Sequence, residues 1–333
     1  MVKRVKLKEE EAPKAEGLYF AEKPVRDCIP TGCTLLDLVL GGGWAMGRVV
    51  NIVGDKAVGK TLLAIEACAN FKRKYPKGRI FYREAESAFD PAYAETVGLP
   101  PQVVDFGPEG IDTPWDTIEA IFEDLEARLD ECIKSKKPGL YILDSLDAVS
   151  SKAELEREVG EGSFALEKQK LLGRLFRQLI RKIGSANFCL IIVSQIRDKI
   201  GVVFGDKHTR SGGKALDFYA SQILWLHNMG IEYATKGGVK RAVGVRIKAK
   251  CKKNKVGTPF RECEFAIEFG YGVDDVAASI DWLEEVKGLG DLEAKVLTKY
   301  HDNPELMEKL RETVTTRWAE VESRFSPTRK KYG

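Results

Sequence analysis

The sequence predicts an α/β protein with a mostly parallel central sheet flanked by helices, followed by a small, mainly helical C-terminal domain. Three observations carry that expectation. From Ile29 onward, short apolar runs alternate with longer amphipathic stretches, the rhythm of βα units. A glycine-rich segment, GDKAVGKT from Gly54 to Thr61, lies between an apolar run and a helical one. A further apolar run, LYILD, ends on a carboxylate at Asp144.

Residues 1–29 mix Lys, Glu and Pro with little periodicity and read as an arm leading into the body, where order would need a partner such as a neighbouring protomer. The body spans 30–270. VVNIV (Val49–Val53) is an apolar strand, and Thr61–Lys72 continues as a helix. RIFYREA (Arg79–Ala85) is the next strand. Between Trp115 and Cys132 an apolar stripe of Ile118, Ile121, Phe122, Leu125 and Leu129 recurs at helical spacing. After a Pro-Gly break comes the strand Leu140–Asp144. Phe164–Ile183 is a second long helix, with Leu171, Leu172, Leu175, Leu179 and Ile183 on one face, and FCLIIVSQ (Phe188–Gln195) is the strand after it. From Val243 to Lys252 the pattern alternates, with Val245, Ile247, Ala249 and Cys251 opposite Arg246, Lys248, Lys250 and Lys252. Two readings of that basic face stand side by side: a DNA contact, or an exposed strand edge protected by lysines. Residues 271–333 form the C-terminal domain, ending in the basic tail SPTRKKYG.

Composition bounds the function classes. With 333 residues, 44% hydrophobic and 31% charged, the chain suits one large and one small globular domain and excludes a disordered protein. No apolar run reaches the ~18 residues of a membrane span. The start MVKRVKLKEEEAPK lacks a secretory apolar stretch. A cytoplasmic protein without membrane contact is expected. Cys28, Cys33, Cys68, Cys132, Cys189, Cys251 and Cys263 show no CxxC spacing, so they are expected as buried, reduced thiols rather than zinc ligands. A net charge of +3 neither demands nor excludes nucleic acid.

GDKAVGKT matches the P-loop pattern GxxxxGK[ST] in the strand-to-helix context its mechanism requires. Backbone N–H groups of Gly54, Asp55, Lys56, Ala57, Val58 and Gly59 would form a nest around the phosphates of ATP, helped by the helix N-terminus. Lys60 would reach the β and γ phosphates, and the Thr61 hydroxyl would bind Mg²⁺. Asp144, at the end of a buried strand, is the second metal candidate, holding the magnesium's water shell. Hydrolysis needs a group that orients water; Glu84 and Glu86 both end the Arg79 strand, and spacing does not choose between them. Gln195, ending its own strand, suits a γ-phosphate sensor or a capping role.

Read together, IPTGCTLLDLVLGGGWAMGRVV (Ile29–Val50), AESAFDPAYA (Ala85–Ala94), LDSLDAVSSKAELEREVGEGS (Leu143–Ser163) and SQIRDKIGVVFGDKHTRSGGKALDFYAS (Ser194–Ser221), then KNKVGTPF and FGYGV, resemble the bacterial RecA family of strand-exchange recombinases and its phage relatives. The likeness spans Ile29 to Val273 and implies a RecA-type P-loop ATPase core dependent on ATP, Mg²⁺ and single-stranded DNA. It implies that Glu86 activates water, that Asp90 and Tyr93 contact adenine, and that Gln195 couples the γ phosphate to the loop beyond it. Lys253 and Lys255 are implied to act on the neighbouring protomer's ATP. Two DNA loops are implied as well, Glu156–Phe164 and Ile196–Gly213. The second carries Arg197, Lys199, Lys207, Arg210 and Phe204, with Gly212 and Gly213 offering backbone N–H groups to phosphate. Phe164 or Phe204 would wedge or stack near bases, or Phe204 would instead pack on a neighbouring subunit. The implied partners are single-stranded DNA, homologous double-stranded DNA, and further copies of the chain in a helical filament.

Departures from the family pattern point to a phage-encoded or divergent member. The stretch before the core is short, the tail is basic where relatives are acidic, Phe269 stands for a Tyr and Gln169 for an Arg. Two alternatives share the same core: a hexameric helicase or motor, and a scaffold filament without strand exchange.

Overall fold

The computed structural model describes residues 27–108, 110, 115–155, 164–198, 208–210, 213–287, 303–327 and 329. A small ribbon comes first, β1 (Cys28–Ile29) against β2 (Trp44–Ala45), enclosing α1 (Thr34–Leu40). The repeating units follow: β3 (Val49–Gly54), α2 (Lys60–Lys74), β4 (Arg79–Glu84), α3 (Pro91–Thr96), β5 (Val104–Asp105), α4 (Ile118–Ser135) and β6 (Gly139–Asp144). Next come α5 (Lys152–Leu155), α6 (Phe164–Ser185), β7 (Phe188–Asp198), β8 (His208–Arg210) and α7 (Gly213–Tyr219). The described chain closes with β9 (Gln222–Lys236), β10 (Val239–Asn254), β11 (Glu262–Glu268), β12 (Gly272–Val273), α8 (Asp275–Glu285) and α9 (Pro304–Arg324).

Nine of these strands follow one another across the large sheet in the order β12-β11-β10-β9-β3-β7-β6-β4-β5, and β8 pairs with the far end of β7. From β9 to β5 neighbours run parallel, whereas β9 to β12 form an antiparallel wing. The expected α/β class is therefore observed. β3 and β6 are buried along their whole length because helices cover both faces, which is why they read as continuous apolar runs rather than alternating ones. On one face, Val50, Ile52 and Ile80 pack with Leu63, Ala64 and Ala67 of α2 and Leu36 of α1. On the other, Val49, Val53 and Phe81 pack with Ile121, Leu125 and Leu129 of α4 and Leu172, Phe176 and Leu179 of α6.

Boundaries differ where tertiary contacts intervene. α4 starts at Ile118 rather than Trp115, because Thr117 is held extended in a parallel bridge to Ser150 and the Trp115 N–H donates to the Glu84 carbonyl at 2.8 Å. Beyond Gln195, β7 continues to Asp198 by pairing with β8, a pairing that local pattern does not reveal. Beyond Tyr271, α8 is capped by the Asp274 side chain on Ala277 N (2.9 Å), and Asp275 accepts from Thr34 N (2.6 Å) and its hydroxyl (2.9 Å). Val276 and Leu283 of α8 and Leu310 and Val314 of α9 join the same buried cluster as α1. All seven cysteines are buried free thiols. Among the described residues no helix is long and apolar enough to cross a membrane.

The exposed-edge reading of the basic strand is corrected. β10 lies inside the sheet, paired with β9 on one side and β11 on the other. Its cations face acidic neighbours supplied by those strands: Lys248 Nζ lies 2.8 Å from Glu262 Oε1, Lys250 Nζ 2.9 Å from Glu262 Oε2, and Arg246 Nε 2.7 Å from Glu232 Oε1. Lys252 Nζ sits 3.5 Å from the Trp225 ring centre. Alternation within β10 defines its two faces, but the Glu residues that neutralise one face arrive from other strands.

A charge inside β4 has a different setting. The Arg83 side chain is 0% exposed; its Nε donates to Asp124 Oδ2 at 2.6 Å and its Nη1 to the Asp105 carbonyl at 2.5 Å. Tyr141 and Trp115 face the guanidinium at 5.4 and 5.2 Å, and the Tyr141 hydroxyl also donates to Asp124, at 3.0 Å. Removing one member of a buried ion pair strands its partner, whereas replacing both with apolar groups is nearly neutral. Asp124 also accepts from Arg128 Nε at 3.2 Å, so Arg83→Leu leaves it one cation and should lose less than the full stranded-partner penalty, about 3 kcal/mol of unfolding free energy in urea. Arg83→Leu combined with Asp124→Leu should recover most of that loss. A double variant as unstable as the single one would mean that packing, not the stranded carboxylate, carries the effect.

Candidate active site

The strands β3, β7, β6 and β4 all point the same way, so their C-terminal ends meet along one rim. Register places Gly54 of β3 beside Gln195 of β7, and Glu84 of β4 beside Asp144 of β6. The segment after Gly54 turns back at Ala57 (φ 55°) and Gly59 (φ 78°) before α2 starts at Lys60. Left-handed backbone at these points turns successive N–H groups toward one concavity, an anion nest at a helix N-terminus. Gly59 has a second reason to be glycine, since a Cβ there would stand 2.2 Å from Ile267 Cδ1. The resulting cavity, about 530 Å³, is lined by Lys56–Thr61, Glu86 and Gln195, with Val245, Ile267 and Phe269 forming an apolar wall. Phe269 is 59% exposed at its mouth.

Lys60 is largely buried, and its Nζ donates to the Asp55 carbonyl at 2.6 Å. Burial lowers the ammonium's pKa, while the charges of Asp144, Glu86, Asp55 and Asp147 oppose that shift. Asp144 is 1% exposed. Its carboxyl is raised to about 6: burial raises it most, Tyr82 and Thr61 pull it down, and the charges of nearby Glu84 and Glu86 push it up. The Tyr82 hydroxyl donates to Asp144 Oδ2 at 2.7 Å, and Oδ1 is buried with no hydrogen-bond partner. A buried carboxylate oxygen left bare beside a P-loop threonine is the donor set that a hydrated magnesium ion completes. Thr61 and Asp144 therefore fit a metal-nucleotide complex.

The two glutamates have distinct surroundings. Glu84 accepts from the backbone N–H of Glu86 and of Phe89, both at 2.8 Å, and is buried in shaping the loop. Glu86 lines the cavity; its Oε1 accepts from Gln195 Nε2 at 2.8 Å and from the Ser145 hydroxyl. The Gln195 N–H is held by Asp147 Oδ2 at 2.6 Å. Sequence reasoning does not single out Ser145, Asp147 or Tyr82. Ser145 adjoins Asp144, and a tyrosine within an apolar strand is a weak signal that only β4–β6 register makes legible.

Other expected residues lie elsewhere. Asp90 caps α3, accepting from Ala92 N (2.9 Å) and Tyr93 N (3.1 Å), and the Tyr93 hydroxyl donates to buried Glu66 at 2.8 Å; neither residue lines the cavity. Lys253 pairs with Ile223, level with Asn51, and Lys255 follows Asn254, which pairs with Gln222 level with Val50, so both lie toward the opposite end of the sheet from Gly54. For Lys253 that offset is about 10 Å of strand. Lys253 donates to the carbonyls of Asp217 and of Phe218, the latter at 3.0 Å. Arg197 and Arg210 belong to the β7–β8 pairing, which extends directly from Gln195, and Gly213 opens α7. Phe164 opens α6. Lys199, Phe204 and Gly212 lie outside the described residues.

A carboxyl raised to about 6 from 3.8 is a stability liability in the nucleotide-free protein. The native state holds the proton more tightly than the unfolded chain, so the penalty appears as pH rises through that interval and is complete above it. Asp144→Asn should thus match the parent at acid pH and exceed it at pH ~8, by up to about 3 kcal/mol on the scale of ~1.4 kcal/mol per pKa unit. Urea unfolding at the two pH values, without nucleotide, checks this. A gap that fails to widen with pH would mean that the carboxyl is ionised without penalty.

Comparison with known proteins agrees with this geometry. The family model described as RecA N-terminal domain matches residues 19–274. A protein named RecA from Thermus thermophilus is 35% identical over 335 residues, covering 95% of this chain and 94% of its own length. That of Gloeothece citriformis is 36% identical over 258 residues, covering 78% of this chain and 68% of its own length. With the P-loop, the carboxylate-tipped strands and these relatives in agreement, the chain belongs to the RecA family.

Proposed function

We propose that this protein is an ATP-dependent DNA strand-exchange recombinase that forms filaments on single-stranded DNA and serves homologous recombination and repair. The observation that carries the reading is the Glu86–Gln195 hydrogen bond at 2.8 Å. It links a carboxylate facing the nucleotide cavity to the root of the β7–β8 pairing, where the basic DNA loop begins. A change at the phosphate end of Gln195 is transmitted along one strand to Arg197 and across to Arg210, whose backbones are paired with adjacent residues.

The residues divide the work. The nest from Gly54 to Gly59, with Lys60, would hold the phosphates, while Thr61 and Asp144 would hold magnesium, which would supply positive charge to offset the negative charge of the phosphates. Glu86 orients the attacking water, since it faces the cavity and Glu84 is spent on two backbone N–H groups. Asp90, Tyr93 and Phe269 are assigned to the base side of the nucleotide. Arg197, Lys199, Arg210, Phe164, Phe204, Gly212 and Gly213 are assigned to DNA. Cations there give affinity through phosphate, and the aromatic rings through bases.

Lys253 and Lys255 sit too far from their own Gly54 to serve its nucleotide, which supports a role on the neighbour's ATP across the filament contact. Cations arriving only on assembly would restrict hydrolysis to the DNA-bound filament.

Glu86→Gln should bind ATP and DNA and lose turnover by roughly 10²-fold or more, on the scale of removing a catalytic base. Glu84→Gln should be milder and mainly lower stability. The measurement is phosphate release with and without single-stranded DNA, with filaments imaged in the same samples; the opposite ranking would assign the water to Glu84. A protomer carrying Lys253→Ala and Lys255→Ala should hydrolyse little on DNA. Mixed with a Glu86→Gln protomer it should regain activity, because some junctions then join an intact Glu86 site to intact lysines. If the mixture stays as inactive as its parents while both chains are shown to co-assemble, the lysines do not act between protomers.

A further inference from the structure

We propose that Tyr82 is the positioning residue for the magnesium carboxylate, fixing Asp144 so that one of its oxygens stays free for the metal's water shell. The proposal rests on the reading of Asp144 as the metal-site carboxylate.

Tyr82 lies on β4, paired with Ile142 of β6 two residues before Asp144, so the phenol reaches along the neighbouring strand to its tip. Its hydroxyl donates to Asp144 Oδ2 at 2.7 Å, and both residues are at most 1% exposed. The ring is held edge-on to Phe89 (5.0 Å between centres) and tilted against Phe106 (5.9 Å). It cannot follow the carboxylate if the carboxylate turns. Burial raises the phenol's pKa well above its ordinary value, so the group remains a donor.

The bond creates an asymmetry. Oδ2 is engaged, whereas Oδ1 has no hydrogen-bond partner. Thr61 lowers the pKa of this carboxylate, but its hydroxyl is itself a candidate for the metal, and the negative charges of Glu84 and Glu86 push on the group. Tyr82 is thus the anchor that a bound ion would leave in place. A phenylalanine at this position would fill the same apolar space between Phe89 and Phe106, so packing does not account for the hydroxyl. Groups that orient a metal-site carboxylate typically change metal affinity by ~10–100-fold when removed.

The test separates metal binding from nucleotide binding. Calorimetric titration of ATPγS is carried out over a series of MgCl₂ concentrations and again in EDTA, for the parent, Tyr82→Phe, Asp144→Asn and the double variant. Tyr82→Phe should keep the parent's affinity in EDTA and lose ~10-fold or more of the enhancement that magnesium confers. In the Asp144→Asn background, Tyr82→Phe should have no further effect, since the carboxylate it positions is gone. Magnesium enhancement at the parent level would overturn the proposal. So would an equal loss in EDTA, which marks a packing defect, or an undiminished effect in the Asp144→Asn background. Asp144→Asn retaining full magnesium enhancement would instead remove the metal role of Asp144, and the role of Tyr82 with it.

Discussion

Parallel pairing of β3, β7, β6 and β4 is the constraint on which the site depends. Each strand enters from the same side of the sheet, so residues far apart in sequence finish on one rim: Gly54 beside Gln195, and Glu84 beside Asp144. Helices on both faces hold that register, because a one-residue slip would turn every buried side chain of a strand outward. The rim is therefore as rigid as the core beneath it. Loops leaving it begin from fixed points, the arrangement that open α/β sheets use to bind ligands.

Crowding acidic groups on a buried rim creates an electrostatic problem that the protein resolves differently for each carboxylate. Glu84 is satisfied by backbone N–H groups and becomes structural. Glu86 faces the cavity, held by Gln195 and Ser145. Asp144 is left half-satisfied, and its burial, with Glu84 and Glu86 close by, raises its pKa and costs stability without ligand. One residue away from this rim, Arg83 shows the contrasting solution: it points to the other face of the same strand and is neutralised by Asp124 and Asp105. The two buried charges differ in what faces them: the Arg83 guanidinium meets two opposite charges, whereas the Asp144 carboxylate meets further acidic groups.

The antiparallel wing adds a second level. β10 carries its lysines from the apolar wall of the cavity at Val245 to the opposite end of the sheet at Lys253. Along the way its cations meet Glu232, Glu262 and Glu264, so most of the strand's positive charge is balanced within the protein. Exposed pairs of this kind contribute at most about 1 kcal/mol each. Their larger effect is to break up what would otherwise be a continuous basic stripe along the strand.

Much of the molecule was legible from sequence because its signals are local. The P-loop announces itself through glycine spacing, β3 and β6 through largely apolar runs, and α4 and α6 through stripes at helical period. The family likeness then singled out Glu86 from Glu84, and the backbone hydrogen bonds of Glu84 supply a physical reason for that choice. Contacts made at long range were not legible. The extension of β7 by β8, the engagement of Asp144 by Tyr82, the buried Arg83–Asp124 pair and the neutral surroundings of the β10 lysines all join segments whose proximity is created by the sheet. Periodicity tells which face a side chain takes. Only tertiary structure decides what stands opposite it, because strand order and register are set by the packing of the whole core rather than by any single stretch of chain.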